Sequence, residues 1–217
     1  MTSIRFGVSS IVAAATVAGL CLGSATPAAA SVNLLSNGSF ESPVFGGSYT
    51  TVGTGGTVGA WTVDSGSIDL IGNYWQAQDG LQSVDMSGNG DGKISQTVNT
   101  TAGQQYRLSF WEAGNNDGGN AIKNLSALIN NNQVGLFAFD TTGKTKSAMG
   151  WTQYTYDFVS AGGPTTVSFQ GTEGNAYGAA LDNVELKAVP EASTVMLFGM
   201  LFVGGAFLLR KRASQLS

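Results

Sequence analysis

The stretch from residue 31 to residue 188 is predicted to fold as an all-β antiparallel sandwich, and three observations carry that expectation. Between residues 31 and 190 stand 25 glycines and 14 asparagines, which break long helices and supply turns with positive φ. Between these breaks run short segments in which apolar and polar residues alternate. The 160 residues concerned are enough to enclose one core.

Taken in order, Gly46–Gly59 is the one low-complexity loop, and Trp61 is assigned to the core. Strands are expected over Ile68–Ile71, Ser83–Met86 and Ile94–Val98. Tyr106, Leu108 and Phe110 then share one face, with Arg107, Ser109 and Trp111 on the other. Ile122, Leu125, Leu128 and Ile129 fit a helical stripe as well as a strand. The Asn130-Asn131-Asn132 run before Val134–Phe139 favours a hairpin and hence a strand. Trp151 is placed in the core. Tyr154, Tyr156 and Phe158 alternate next, followed by Thr165, Val167 and Phe169, and finally by Asp182, Val184 and Leu186. Many short strands at this spacing read as a sandwich.

Composition removes whole classes of chemistry. The chain has 217 residues, no histidine and one cysteine, Cys21. Imidazole general bases, Ser-His-Asp and Cys-His nucleophiles and histidine metal ligands are therefore excluded. Residues 31–190 hold six Lys/Arg against thirteen Asp/Glu, a formal charge of −7. An acidic domain with scattered lysines offers no footprint for a phosphate backbone, so nucleic acid is not an expected partner.

The two ends read as addresses. Arg5, the apolar stretch Phe6–Leu22 and the small residues Ala28 and Ala30 make residues 1–30 a signal peptide, cut by signal peptidase after Ala30. Residues 192–209 carry no charge and precede Arg210-Lys211-Arg212, so a membrane helix over 194–209 would hold the basic end in the cytoplasm and the domain outside. Val189-Pro190-Glu191-Ala192-Ser193, the apolar run and the basic block, together residues 189–212, resemble the PEP-CTERM sorting signal of exopolysaccharide-producing bacteria. Ala192 stands where the common form has a second proline. The resemblance implies cleavage by an exosortase near Pro190 and Glu191. The protein would be held briefly in the inner membrane and then released to the cell surface or matrix.

A second resemblance spans nearly all of the domain. Asn33-Leu34-Leu35-Ser36-Asn37-Gly38-Ser39-Phe40-Glu41 opens it, followed by Gly59-Ala60-Trp61, Ile68-Asp69-Leu70, Tyr74-Trp75-Gln76 and Ile94-Ser95-Gln96-Thr97. Tyr106–Phe110, Ala113-Gly114-Asn115 and Tyr177–Val184 complete the set. In this order the segments resemble the choice-of-anchor C family of bacterial surface proteins, itself similar to a domain of unknown function in plant cell-wall proteins. The resemblance implies a galactose-binding-like jelly roll, the scaffold of many carbohydrate-binding modules. It also implies a structural Ca²⁺ held by Glu41 and Asp182, on first and last strands that lie side by side, with backbone carbonyls completing six to eight oxygens.

Other candidates come from the residues themselves. Ser87–Ile94 superficially resembles an EF-hand loop. Aligning Asp91-Gly92 on it puts Ser87 and Val98 where acidic ligands belong, so a glycine-rich hairpin turn is the better reading. Tyr74, Trp75, Trp111 and Tyr177 sit among glycines and polar residues and suit stacking on sugar rings. Asp69, Asp79, Asp85, Glu112 and Asp117 are the carboxylates from which a glycosidase would draw its pair. The expected function is a non-catalytic surface or matrix protein that binds polysaccharide. The alternatives are a structural or adhesive module that binds proteins, and a carboxylate glycosidase.

Overall fold

A computed structural model describes residues 31–190. The expected signal peptide over 1–30, residues 191–193 of the expected sorting motif, the expected helix over 194–209 and the basic block 210–212 lie outside the described residues. Twelve strands make up the domain: β1 (Tyr49–Gly53), β2 (Thr57–Val58), β3 (Trp61–Ser65), β4 (Ser67–Ile71), β5 (Ser83–Asp85) and β6 (Lys93–Thr100). After these come β7 (Gln105–Gly114), β8 (Ile122–Ile129), β9 (Asn132–Asp140), β10 (Thr152–Val159), β11 (Gly163–Gly171) and β12 (Ala179–Ala188). They form two six-stranded antiparallel sheets, ordered β1-β4-β5-β12-β7-β10 and β2-β3-β6-β11-β8-β9. All the expected strands are present. The stretch expected as a loop, Gly46–Gly59, also contains β1 and β2, because Tyr49–Val52 alternates against β4.

The ambiguous segment is β8, and its hairpin shows why. Asn130 and Asn131 take φ of 50° and 62°, the two successive positive values of a two-residue hairpin turn, which asparagine tolerates. Between the sheets Phe110 packs edge-on to Phe137 and Phe169, with centroids 5.0 and 4.9 Å away. Trp61 and Phe40 extend this core, both fully buried. Trp151 is not in it. It lies half-buried against a smaller cluster containing Ile71, Trp75 and Met149, and its Nε1 donates to the carbonyl of Gln76.

The opening segment is not a strand, yet it is hydrogen-bonded along β12. Leu34 N donates to Leu186 O and Val184 N to Gly38 O, while the Asn33 side chain accepts from Leu186 N and donates to Val184 O. A Cβ on Gly38 would fall 2.0 Å from the Val184 carbonyl oxygen, so only glycine permits this approach. The register of β12 on β7 shifts between Asp182 and Glu185, where Asn183 has φ 47°. This bulge corrects the alternation expected for β12. Val184 and Leu186 enter the core, whereas Asp182 pairs with Trp111 on the outer face of the first sheet.

Candidate functional site

The outer face of the first sheet carries a groove of about 290 Å³ at its β1 side. Cross-strand register builds the floor. Thr51, Asp69 and Asp85 stand directly opposite one another on β1, β4 and β5, and Tyr49 opposite Ile71. The loops after β4, β5 and β7 raise the walls, bringing in Tyr74, Asn89 and Asp117, and the loop before β12 adds Tyr177.

The aromatic side is partly organised by contacts between rings. Tyr74 meets Tyr49 edge-on at 5.4 Å and Trp75 at 5.7 Å. Lys146 Nζ sits 3.7 Å from the Tyr74 ring centroid and 2.9 Å from Asp117 Oδ2, the same oxygen to which Tyr74 OH donates. Tyr49 and Tyr177 remain 51% and 39% exposed, so their rings are free to meet a ligand.

The floor is acidic and largely desolvated. Asp69 Oδ1 accepts from Thr51 Oγ1 at 2.6 Å. Asp85 accepts from Ser87 N, Gly178 N and Asn115 Nδ2. Burial is the main reason that Asp85 is pushed up to about 7; these three bonds oppose the shift, and the Asp69 charge adds to it. Burial also raises Asp69, against the Thr51 bond.

Two further residues shape the rim. Lys123, on β8 of the opposite sheet, is fully buried and donates to the carbonyls of Gly118 and Tyr177, both at 2.7 Å. Asp91 accepts from Ser87 Oγ, Glu173 N and Gly174 N. It thereby ties the hairpin after β5 to the loop that carries Tyr177, and the EF-hand-like segment is a turn closed by Gly92 N on Met86 O. Nothing in the local sequence marks Lys123 as more than one lysine in an alternating strand. Tyr49 and Thr51 stand inside the segment taken for a loop.

The remaining candidates lie elsewhere. Trp75 is only 5% exposed and donates to Ser83 Oγ, so it touches the groove from beneath. Trp111 shares the groove's sheet face but lies in the row of Asp182 and Gln153, away from the lining. Glu41 and Asp182 meet one loop from two sides. Glu41 Oε1 accepts from Leu81 N and Gln82 N, and Asp182 Oδ2 accepts from Gln78 N and Asp79 N. Asp182 is fully buried and pushed up to about 7, burial outweighing these bonds. No group of three or more acidic, histidine or cysteine side chains that could hold a metal occurs among the described residues. A cation at this pair would therefore draw its other ligands from backbone carbonyls.

Of the five carboxylates noted for glycoside hydrolysis, Asp69, Asp85 and Asp117 come together. Asp79 accepts from Ser39 outside the groove. Glu112 faces the opposite way, into the interior, where neither oxygen has a hydrogen-bond partner, and burial followed by the Glu173 charge pushes it up to about 8.

Fold and groove together define a two-sheet antiparallel sandwich with an aromatic and acidic cleft on one outer face. The chain belongs to the family described as Protein of unknown function (DUF642), whose model matches residues 33–187. It is 31% identical over 169 residues to halomucin of Haloquadratum walsbyi (strain DSM 16790 / HBSQ001), a match that spans 71% of this chain and only 2% of halomucin. Among solved structures, it is similar to the CBM22-1 xylan-binding domain from Paenibacillus barcinonensis Xyn10C. That match has 20% identity, covers 75% of this chain and 98% of that one, and gives a TM-score of 0.49. A further similarity is to TmCBM61 in complex with β-1,4-galactotriose, at 18% identity, 73% and 100% coverage and a TM-score of 0.45.

Proposed function

We propose that the domain is a non-catalytic glycan-binding module and that the groove on the first sheet is its binding site. The observation that carries this reading is the pairing, within one cleft, of exposed tyrosine rings with carboxylate and amide groups. Sugar rings present an apolar C–H face and a rim of hydroxyls, and such a cleft answers both. Asp69 and Asp85 are neighbours on one floor, so they lie on one side of a ligand rather than as two carboxylates flanking a scissile bond. The test is retention of the purified protein on a panel of immobilised polysaccharides, with reducing-sugar release measured in parallel. Saturable retention lost in Tyr74→Ala supports the reading, whereas release of sugar abolished by Asp85→Asn overturns the non-catalytic part.

The proposal extends to a choice-of-anchor C surface protein, exported through residues 1–30 and trimmed by an exosortase near Pro190 and Glu191, with the exopolysaccharide matrix as its destination. Mass spectrometry of the secreted form should find Ser31 at its start and an end near residue 190. Glu41 and Asp182 are the pair for a structural Ca²⁺. What supports this is their convergence on one loop and the complete burial of Asp182, whose desolvation a divalent cation would offset. A melting temperature unchanged between added calcium and chelator would overturn it.

A further inference from the structure

We infer that the groove is selective for glycans bearing no anionic group, and that Asp69 is the residue enforcing this selectivity. The inference rests on the glycan reading above and adds the class of ligand. Asp85 spends both oxygens on Ser87, Gly178 and Asn115. Asp69 does not. Thr51 takes Oδ1, and Oδ2 has no protein donor among the described residues. An open acceptor on a groove floor suits a sugar hydroxyl, which donates.

Among the described residues no lysine or arginine forms an ion pair with Asp69. Lys146 is engaged with Asp117 and the Tyr74 ring. Lys123 lies beneath the rim with its ammonium turned to the Gly118 and Tyr177 carbonyls, and the carboxylates whose charge acts on it are Glu173 and Asp85, not Asp69. Nearby Glu173 and Asp91 add negative charge, Glu173 being bound to Asn124 and Asp91 to the 173–174 loop. No lysine or arginine lines the cleft. A uronate or sulfate seated on this floor would therefore meet Asp69 without a counter-charge, and like charges in a partly desolvated site repel strongly. The cross-strand pairing of Asp69 with Asp85 is itself unfavourable for stability.

The experiment compares retention of the full chain on neutral polymers (xylan, β-1,4-galactan, cello-oligosaccharides) and on polygalacturonate and alginate, at low salt. The expected result is retention on at least one neutral polymer and none on the polyuronates. Asp69→Asn should narrow the neutral-to-anionic ratio by about tenfold. Asp64→Asn, which removes the same charge from an exposed position of β3 on the other sheet, should leave the ratio unchanged. Equal retention of both polymer classes by the wild type, or equal effects of the two variants, overturns the inference but leaves the glycan reading standing. Retention of no polymer overturns the glycan reading itself, and the inference with it. Should Asp69→Asn fail to fold, Asp69→Ser, which removes the same charge, takes its place, and a salt series on the wild type reads the repulsion itself. Screening of a repulsion raises polyuronate retention as NaCl increases, and a flat or falling response overturns the inference.

Discussion

The clasp around Glu41 and Asp182 and the groove around Asp69 and Asp85 are two acidic regions on one side of one sandwich, and they differ in where their oxygens point. In the clasp, Glu41 Oε1 and Asp182 Oδ2 together receive four backbone N–H groups from residues 78–82, and Asp182 Oδ1 receives a fifth from Asn183. Three of their four oxygens are directed at holding a loop to the opening segment and β12, and Glu41 Oε2 receives no donor among the described residues. In the groove, Asp85 is satisfied by its surroundings while Asp69 keeps an oxygen toward the cleft. Buried carboxylates are costly, so the distribution of donors around each one separates those that hold a loop from the one that keeps an oxygen open to the groove. Glu112, with no donor at all, is a third case and serves as a reference.

The largest effect is expected from breaking the clasp. Gly38→Ala forces a methyl group onto the Val184 carbonyl and should cost more than about 4 kcal/mol, read as a collapse of the denaturation midpoint. A loss under about 1 kcal/mol would show that the opening segment is dispensable.

Glu112→Met comes next and has the opposite sign. Glu112, Asp85 and Asp182 all have folded pKa values above the ordinary carboxylate range. Between that range and about pH 8 the unfolded chain binds fewer protons than the folded one, so their contribution to stability is present at low pH and lost as pH rises. The wild type should therefore melt lower at pH 8 than at pH 5. Glu112→Met should flatten part of that fall and gain roughly 2–3 kcal/mol at pH 8, with little gain at pH 5. Parallel melting curves for the two proteins would show that Glu112 is not the source.

Lys123→Met sharpens the comparison at the rim. It leaves the Gly118 and Tyr177 carbonyls without their ammonium and should cost about 1–2 kcal/mol, with weaker glycan retention than that loss explains if the two loops drift apart. Tyr177→Ala is the smallest in stability. Its ring is 39% exposed, so the melting temperature should hold within about 2 °C while affinity falls about tenfold, measured by titration calorimetry.

The strands were legible because alternation follows from the pleat, and even β8 was recovered from the turn chemistry of Asn130 and Asn131. Part of the groove lining was legible too. Tyr74 and Tyr177 stood out by their polar, glycine-rich setting, and Asp69, Asp85 and Asp117 by their charge. Tyr49 and Thr51 were missed because a glycine-rich neighbourhood concealed a strand. Trp111 was included because it shares a strand face with Arg107 and Ser109, and sheet order alone separates it from the groove. Asp182 was placed on the same face as Val184, since a bulge leaves no mark on alternation.

What the sequence by itself determined is the all-β class, the acidic histidine-free chemistry and the residue types from which a site is drawn. These depend on composition and on periodicities of a few residues. Tertiary structure decided which carboxylates face a cleft, which hold a loop and which lie unpaired in the interior. Those outcomes depend on cross-strand register and on donors supplied by residues distant in the chain, as where Lys123 crosses from the opposite sheet to reach the Tyr177 carbonyl. No local pattern encodes a partner that only folding brings near.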